Sequence, residues 1–338
     1  MELTRKQQEG LNIAIQRYRA GEHYTVISGY AGSGKSTLVK FIVSALQVPE
    51  DRIVYACFTG KACNVLQQKG NKNVRTLHKL LYEFRPKKDG TFIKIPLPVL
   101  DYDRVVVDEV SMASRELINQ LFKHKVYVIC LGDPFQLPPI NPEDDNHLLD
   151  KPHIFLDEIH RQAQESEIIR LSMDIRAERP LQLFNGVDVK VIDSGDLVNG
   201  MYTWADQILC AKNETRIAIN NEMRDMLGRA GGPQDGDKVI CLRNYWDIVS
   251  TDGDPLVNGT IGYLENNYSR TLRYPYWAGG GGSFEAIDTT LLTETGARIG
   301  GLLMDKKLIL EGKESLEWKT KWALSKNERT SWINPIYF

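Results

Sequence analysis

Residues 29–37 read Gly-Tyr-Ala-Gly-Ser-Gly-Lys-Ser-Thr and place Gly29, Gly34, Lys35 and Ser36 at the spacing of a phosphate-binding loop. Such a loop lets backbone N–H groups wrap an anion, because glycines spare it Cβ clashes. Gly29, Ala31, Gly32, Ser33, Gly34, Lys35, Ser36 and Thr37 form the candidate phosphate cradle. The Lys35 ammonium suits the β- and γ-phosphates, and the Ser36 hydroxyl suits Mg²⁺. A second chemical segment is Val105-Val-Val-Asp-Glu109, an apolar run that ends in two acids. Behind a phosphate loop this pattern assigns Asp108 to the metal and Glu109 to the attacking water as its base. A third is Leu131-Gly-Asp-Pro-Phe-Gln-Leu-Pro-Pro139. Gln136 there either hydrogen-bonds the water or the γ-phosphate, or is the solvated amide of a proline-rich turn. Gln7 has the donor and acceptor to pair with adenine N6 and N7, although Thr4 before it is also a plain helix N-cap.

These residues need a scaffold that delivers them to one edge. Strand patterns at 24–28, 52–58, 104–108 and 126–131 alternate with helix patterns at 35–46, 61–68 and 114–123. The apolar runs Val105-Val-Val and Val126-Tyr-Val-Ile-Cys-Leu suit strands buried on both faces. Alternation of this kind predicts a parallel sheet with right-handed crossovers. Nucleotides bind such sheets at the carboxyl ends of the strands, where all three chemical segments fall. Residues 82–97 interrupt the pattern with short β-prone runs around Asp89-Gly90, a hairpin-turn signal. Downstream, 165–178 is helix-like. A second α/β unit is expected to begin at Gln207-Ile-Leu-Cys, followed by a helix over 214–227. From 237 to about 322 the pattern turns β-rich, with turn signals at Asp252-Gly253, Asn258-Gly259 and 279–282.

Composition narrows the classes. A chain of 338 residues has room for two or three domains. The net charge of −2 spreads no basic field over the molecule, so any nucleic-acid site must be a local groove. The five cysteines lack metal-type spacing and read as reduced thiols. No apolar run approaches membrane-spanning length, and the N-terminus has no signal-peptide core. The expectation is a cytoplasmic protein that does not meet a membrane.

In order along the chain, Gln7, the phosphate loop, Phe58-Thr-Gly-Lys61-Ala, Thr76-Leu-His78, Val-Asp-Glu-Val-Ser111-Met112 and Gly-Asp-Pro-Phe-Gln-Leu-Pro resemble the motifs of superfamily-1 DNA helicases. The Asp-Glu-Val-Ser-Met wording, with Leu156-Asp-Glu-Ile-His-Arg161-Gln downstream, is similar to the RecD/Dda branch. The resemblance implies an α/β fold of the P-loop NTPase type. A RecA-like parallel-sheet domain would span 1–178, with a β-hairpin pin at 82–98. A partial second RecA-like domain would span 179–338, with a β-rich SH3-like insertion at about 237–322. It implies ATP and Mg²⁺ as ligands, and 5′→3′ movement on single-stranded DNA or on DNA with a single-stranded tail. Gln7 would contact adenine, and Gln136 would couple the γ-phosphate to DNA. Arg161 would reach the γ-phosphate, an effect worth about 10³-fold or more in rate. Thr59, Lys61, Thr76 and His78 would line the path of the strand; hydroxyls and an ammonium suit phosphate oxygens, and an imidazole can stack or donate.

The chain ends at Asn334-Pro-Ile-Tyr-Phe338, ahead of two further motifs of the branch: a Thr-x-His-x-x-Gln-Gly segment and a second arginine for ATP. The expectation is therefore a chain that binds ATP·Mg²⁺ and turns it over poorly. Two alternatives stand beside a helicase: an ATPase subunit of a recombination nuclease complex, acting with replication or recombination proteins, and a nucleotide-dependent DNA-binding protein without productive turnover.

Overall fold

The structure, a computed structural model, describes residues 3–86, 92–139, 141–158, 166–229, 231–241, 245–253, 255–273 and 282–306. The chain divides into two compact units, Met1–Asp196 and Leu197–Phe338. The sequence expectation drew the boundary after residue 178; the first unit also holds the short antiparallel pair Phe184–Asn185 and Lys190–Val191.

The first unit begins with helix α1 (Arg5–Arg19), started by a capping box between Thr4 and Gln7. Strand β1 (Tyr24–Gly29) then feeds the phosphate loop and helix α2 (Lys35–Ala45). Strand β2 (Ile53–Cys57), helix α3 (Gly60–Gln68), strand β3 (Val74–Thr76) and helix α4 (Leu77–Leu81) follow. Strands β4 (Tyr82–Pro86) and β5 (Phe92–Pro96) pair antiparallel as a two-stranded ribbon. The expected turn at Asp89-Gly90 lies outside the described residues. Strand β6 (Arg104–Val107), helix α5 (Arg115–Phe122), strand β7 (Tyr127–Gly132) and strand β8 (Ile154–Leu156) complete the sheet. Helix α6 (Glu167–Arg176) follows.

The six strands run in the order β3-β2-β6-β7-β1-β8, and every neighbouring pair is parallel. β7 is buried at all positions and β6 and β1 at all but their first. That is why their sequences are near-continuous apolar runs rather than alternating ones. One face packs on α4 and α5 through Leu77, Leu80, Leu81, Leu117, Ile118 and Leu121. The other packs on α1 and α2 through Ala14, Leu38, Val39 and Ile42. Two covered faces and strand-to-helix alternation make this a layered α/β fold on a parallel sheet, and the phosphate loop after β1 gives it the form expected of a RecA-like P-loop NTPase.

In the second unit, Lys238–Ile240, Ile261–Arg273, Ser283–Thr293 and Arg298–Asp305 form a four-stranded antiparallel sheet. Its own core is built from Val239, Leu264, Ile287, Leu291, Leu302 and Met304. Asp252-Gly253 and Asn258-Gly259 sit at turns, with Gly253 and Gly259 in the left-handed region. The helix expected over 214–227 is present as Asn213–Met226. The strand expected at Gln207-Ile-Leu-Cys is not: 207–210 form no strand, and Leu209 is 88% exposed. An apolar run becomes a strand only when a neighbouring backbone supplies the ladder, and no described residue pairs with it. The segments 307–338 and 274–281 lie outside the described residues. All five cysteines are free thiols, and Cys210 alone is exposed.

Candidate functional site

The phosphate loop is shaped by close packing. A Cβ on Gly29 would lie 2.5 Å from the Leu156 carbonyl oxygen and 2.8 Å from Ser33 Oγ, so only glycine fits where β1 turns beside β8. Gly32 and Gly34 both have positive φ, 76° and 82°, which L-residues adopt at a cost of about 1–2 kcal/mol. Gly34 is the N-cap of α2, and no side chain caps that helix. Its first N–H groups therefore point toward the loop, ready for an anion. Ser33 Oγ is buried without a hydrogen-bond partner among the described residues. A polar atom left so in a glycine-built cradle fits a phosphate ligand.

Lys35 Nζ donates to the carbonyls of Gly29 (2.6 Å) and Tyr30 (2.9 Å), which hold the ammonium over the loop. Burial pushes its pKa down, opposed by the nearby carboxylates of Asp133 and Asp108. Ser36 is exposed at the start of α2. Gln7 is 2% exposed. Its Oε1 accepts from Thr4 N–H (3.0 Å), and its Nε2 donates to the Ser33 carbonyl (3.3 Å). The amide expected at adenine thus braces the phosphate loop from below.

Asp108 and Glu109 follow β6, whose neighbour β7 lies between it and β1. Asp108 Oδ1 accepts the Glu109 N–H at 3.0 Å. Burial raises the Asp108 pKa, and the Glu109 N–H and Lys35 work against it. Glu109 is also pushed up, first by burial and then by the Asp108 charge. Two adjacent carboxylates, both pushed up first by burial, form the kind of perturbed pair found at functional sites. Glu109 sits at φ 54°, ψ 47°, left-handed and non-glycine, a strain of the kind stored at functional sites. Among the described residues no cluster of three or more His, Cys, Asp and Glu could hold a metal by itself. That is compatible with Mg²⁺, which takes one or two protein oxygens and completes its shell with water and phosphate. Ser36 and Asp108 can supply those oxygens.

Gln136 is exposed on the turn after β7, its N–H donating to the Asp133 carbonyl at 3.0 Å. Arg161 lies outside the described residues. The four residues expected on the strand path gather at the carboxyl ends of β2 and β3. Thr59 and Thr76 cap α3 and α4, their hydroxyls accepting from Ala62 N–H (3.2 Å) and Lys79 N–H (3.3 Å). Lys61 is exposed on the first turn of α3. His78 is half-buried, 5.9 Å from the Phe58 ring and 6.4 Å from Tyr82. Burial, and then the Lys94 charge, lower its pKa. Lys94 of the ribbon lies 4.0 Å from the Tyr82 ring centroid.

Two residues of the site escaped the sequence reading. Asp133 was seen only as part of a strand-end segment, and Arg176 was not seen at all. The Arg176 fork meets the Asp133 carboxylate at 2.8 and 2.7 Å. No local spacing could show this, because the partners are 43 positions apart.

Comparison with known proteins sets this geometry among relatives. The chain is 32% identical over 152 residues to the ATP-dependent DNA helicase Dda of Enterobacteria phage T4, covering 43% of this chain and 34% of that protein. It is 31% identical over 156 residues to the ATP-dependent RecD2 DNA helicase of Deinococcus radiodurans, covering 45% of this chain and 21% of that one. The chain thus spans about a third or less of the length of these relatives. A solved structure of two Pif1 helicases coordinating unwinding at forked double-stranded DNA aligns with 89% of this chain and 76% of its own, at 20% identity and a TM-score of 0.48. Pif1 helicase from Candida albicans aligns with 96% of this chain and 92% of its own, at 16% identity and a TM-score of 0.41. Residues 2–193, more than half of the chain, match the model of the AAA domain family AAA_30, and the chain belongs to that family.

Proposed function

We propose that the chain is the ATP-hydrolysing part of a DNA helicase or translocase, acting 5′→3′ on single-stranded DNA or on DNA with a single-stranded tail. The observation that carries this reading is the shared edge of one sheet. The phosphate loop after β1, the acids after β6 and the Gln136 turn after β7 lie on adjacent strand ends. Next along that edge come Thr59 after β2 and Thr76 with His78 after β3. A change at the nucleotide is therefore one strand away from groups suited to a sugar–phosphate backbone and to base stacking. The similarity to Dda and RecD2, both ATP-dependent DNA helicases, supports the same reading.

In this mechanism the α2 N-terminus, the loop amides and Lys35 bind and orient the triphosphate. Ser36 and Asp108 would hold Mg²⁺, which when bound would neutralise phosphate charge. Glu109 accepts the proton of the attacking water, and its raised pKa makes it a better base once ionised. Gln136 orients that water or senses the γ-phosphate. Arg161 is the arginine finger. Gln7 keeps the phosphate loop in register, and contact with adenine would require its amide to leave these partners. The β4–β5 ribbon is the candidate strand-separating pin, and the antiparallel sheet of the second unit is the candidate SH3-like insertion.

The test is steady-state ATP hydrolysis with and without a single-stranded oligonucleotide. Turnover that rises with DNA, and disappears in Lys35→Ala, is the expected result. Nucleotide and DNA binding with no turnover at any DNA concentration would instead identify a nucleotide-dependent DNA-binding protein.

A further inference from the structure

Arg176 closes helix α6, and its guanidinium lies beside two neighbouring aromatic rings of the nucleotide site. It is 5.0 Å from the ring centroid of Tyr30 in the phosphate loop and 5.2 Å from that of Phe135 on the turn after β7. Both prongs of the fork reach Asp133, whose side chain is 1% exposed while that of Arg176 is 15% exposed. Asp133 also accepts the Phe135 N–H at 3.1 Å. Around the loop there is thus an alternation of charges: Lys35, Asp133, Arg176. Asp133 is the first carboxylate to offset the burial of Lys35, and Arg176 acts on Lys35 with the opposite sign.

A bidentate guanidinium recognises a carboxylate and a phosphate with the same geometry. A terminal phosphate near Lys35 would offer Arg176 a second partner in place of Asp133. We propose that Arg176 is a positioning residue of the nucleotide site, a latch whose fork exchanges Asp133 for the terminal phosphate and so distinguishes a nucleoside triphosphate from a diphosphate. The proposal rests on the reading of residues 29–37 as a nucleotide site. It adds a role for α6, which otherwise only follows the sheet. Tyr30 and Phe135 offer the guanidinium cation–π contact beside Asp133, which an exchange of anions need not break.

The experiment uses the full chain with Mg²⁺ and measures the affinities of ATPγS and ADP by competition with a fluorescent diphosphate. In Arg176→Gln, ADP affinity should stay within about three-fold of the starting protein, while ATPγS affinity falls about ten-fold or more. Arg176→Lys should fall between, since an ammonium restores charge but not the fork. Asp133→Asn should move the other way, raising ATPγS affinity relative to ADP, because the carboxylate no longer competes for the fork. A merely structural ion pair predicts the same sign for both partners, with ADP and ATPγS weakened alike, and that result overturns the latch. If Arg176→Gln does not fold, Arg176→Lys and Asp133→Asn decide the matter: an unchanged ATPγS/ADP ratio in both refutes it. A starting protein that binds neither nucleotide would sink the nucleotide-site reading itself, whereas normal binding with no response to these substitutions sinks only the latch.

Discussion

Glu109 carries strain and chemistry in one residue. Its left-handed backbone and raised pKa both cost stability, and neither is needed by the core. Glu109→Gly should therefore raise stability by about 1 kcal/mol, read as a higher thermal midpoint, while abolishing turnover. Glu109→Gln should keep Mg²⁺-nucleotide binding and lower turnover by about 10²-fold or more. Asp133 has the opposite balance. Burial works to raise its pKa, but the Arg176 fork and the Phe135 N–H outweigh burial and hold it below the usual carboxylate range. A carboxylate held down stabilises the fold above its unfolded pKa of about 3.9, and the contribution is lost as pH falls through the folded value. An acid titration followed by circular dichroism should show Arg176→Gln unfolding at higher pH than the starting protein. An unmoved acid midpoint would mean the ion pair adds nothing to stability.

Among the elements, α1 shows how a cap can serve a site. Thr4 starts the helix, and the reciprocal bond fixes Gln7 so that its other amide end reaches the Ser33 carbonyl. Thr4→Ala should cost about 0.5–2 kcal/mol in urea unfolding and loosen nucleotide binding as well. Loss of stability with nucleotide affinity intact would separate Gln7 from the loop. The turn from β1 is less forgiving. Gly29→Ala drives a methyl into the Leu156 carbonyl and Ser33 Oγ, which should cost about 1–3 kcal/mol and remove nucleotide binding. Backbone oxygen, unlike a flexible side chain, has little room to give.

At the scale of the molecule, the two units have separate cores. Separate cores unfold as separate cooperative transitions unless their contact is large. Calorimetry should resolve two transitions, and Mg²⁺-ATPγS should raise only the one belonging to the first unit. At a hundred-fold excess over Kd the shift corresponds to about 2.7 kcal/mol. A single transition that moves as a whole with nucleotide would show that the units act as one cooperative body.

The phosphate loop, the Asp108-Glu109 pair and the strands that carry them were legible in the sequence because their determinants are local. Spacing of glycines, an apolar run and the residues at its end act within about ten positions of one another. The same locality explains the helix at Asn213–Met226 and the paired strands of the hairpin ribbon. Where the outcome depended on a distant partner, local pattern was insufficient. Gln207-Ile-Leu-Cys is strand-like in composition but finds no ladder among the described residues. Gln7 was identified as a polar amide, but its orientation toward Ser33 was set by how α1 packs beside α2. The Arg176–Asp133 pair arises only when α6 folds back over the end of β7. What local residue order determined was which groups could do chemistry; which of them meet was decided by tertiary packing, since a charge or an amide takes its partner from space and not from its sequence neighbours.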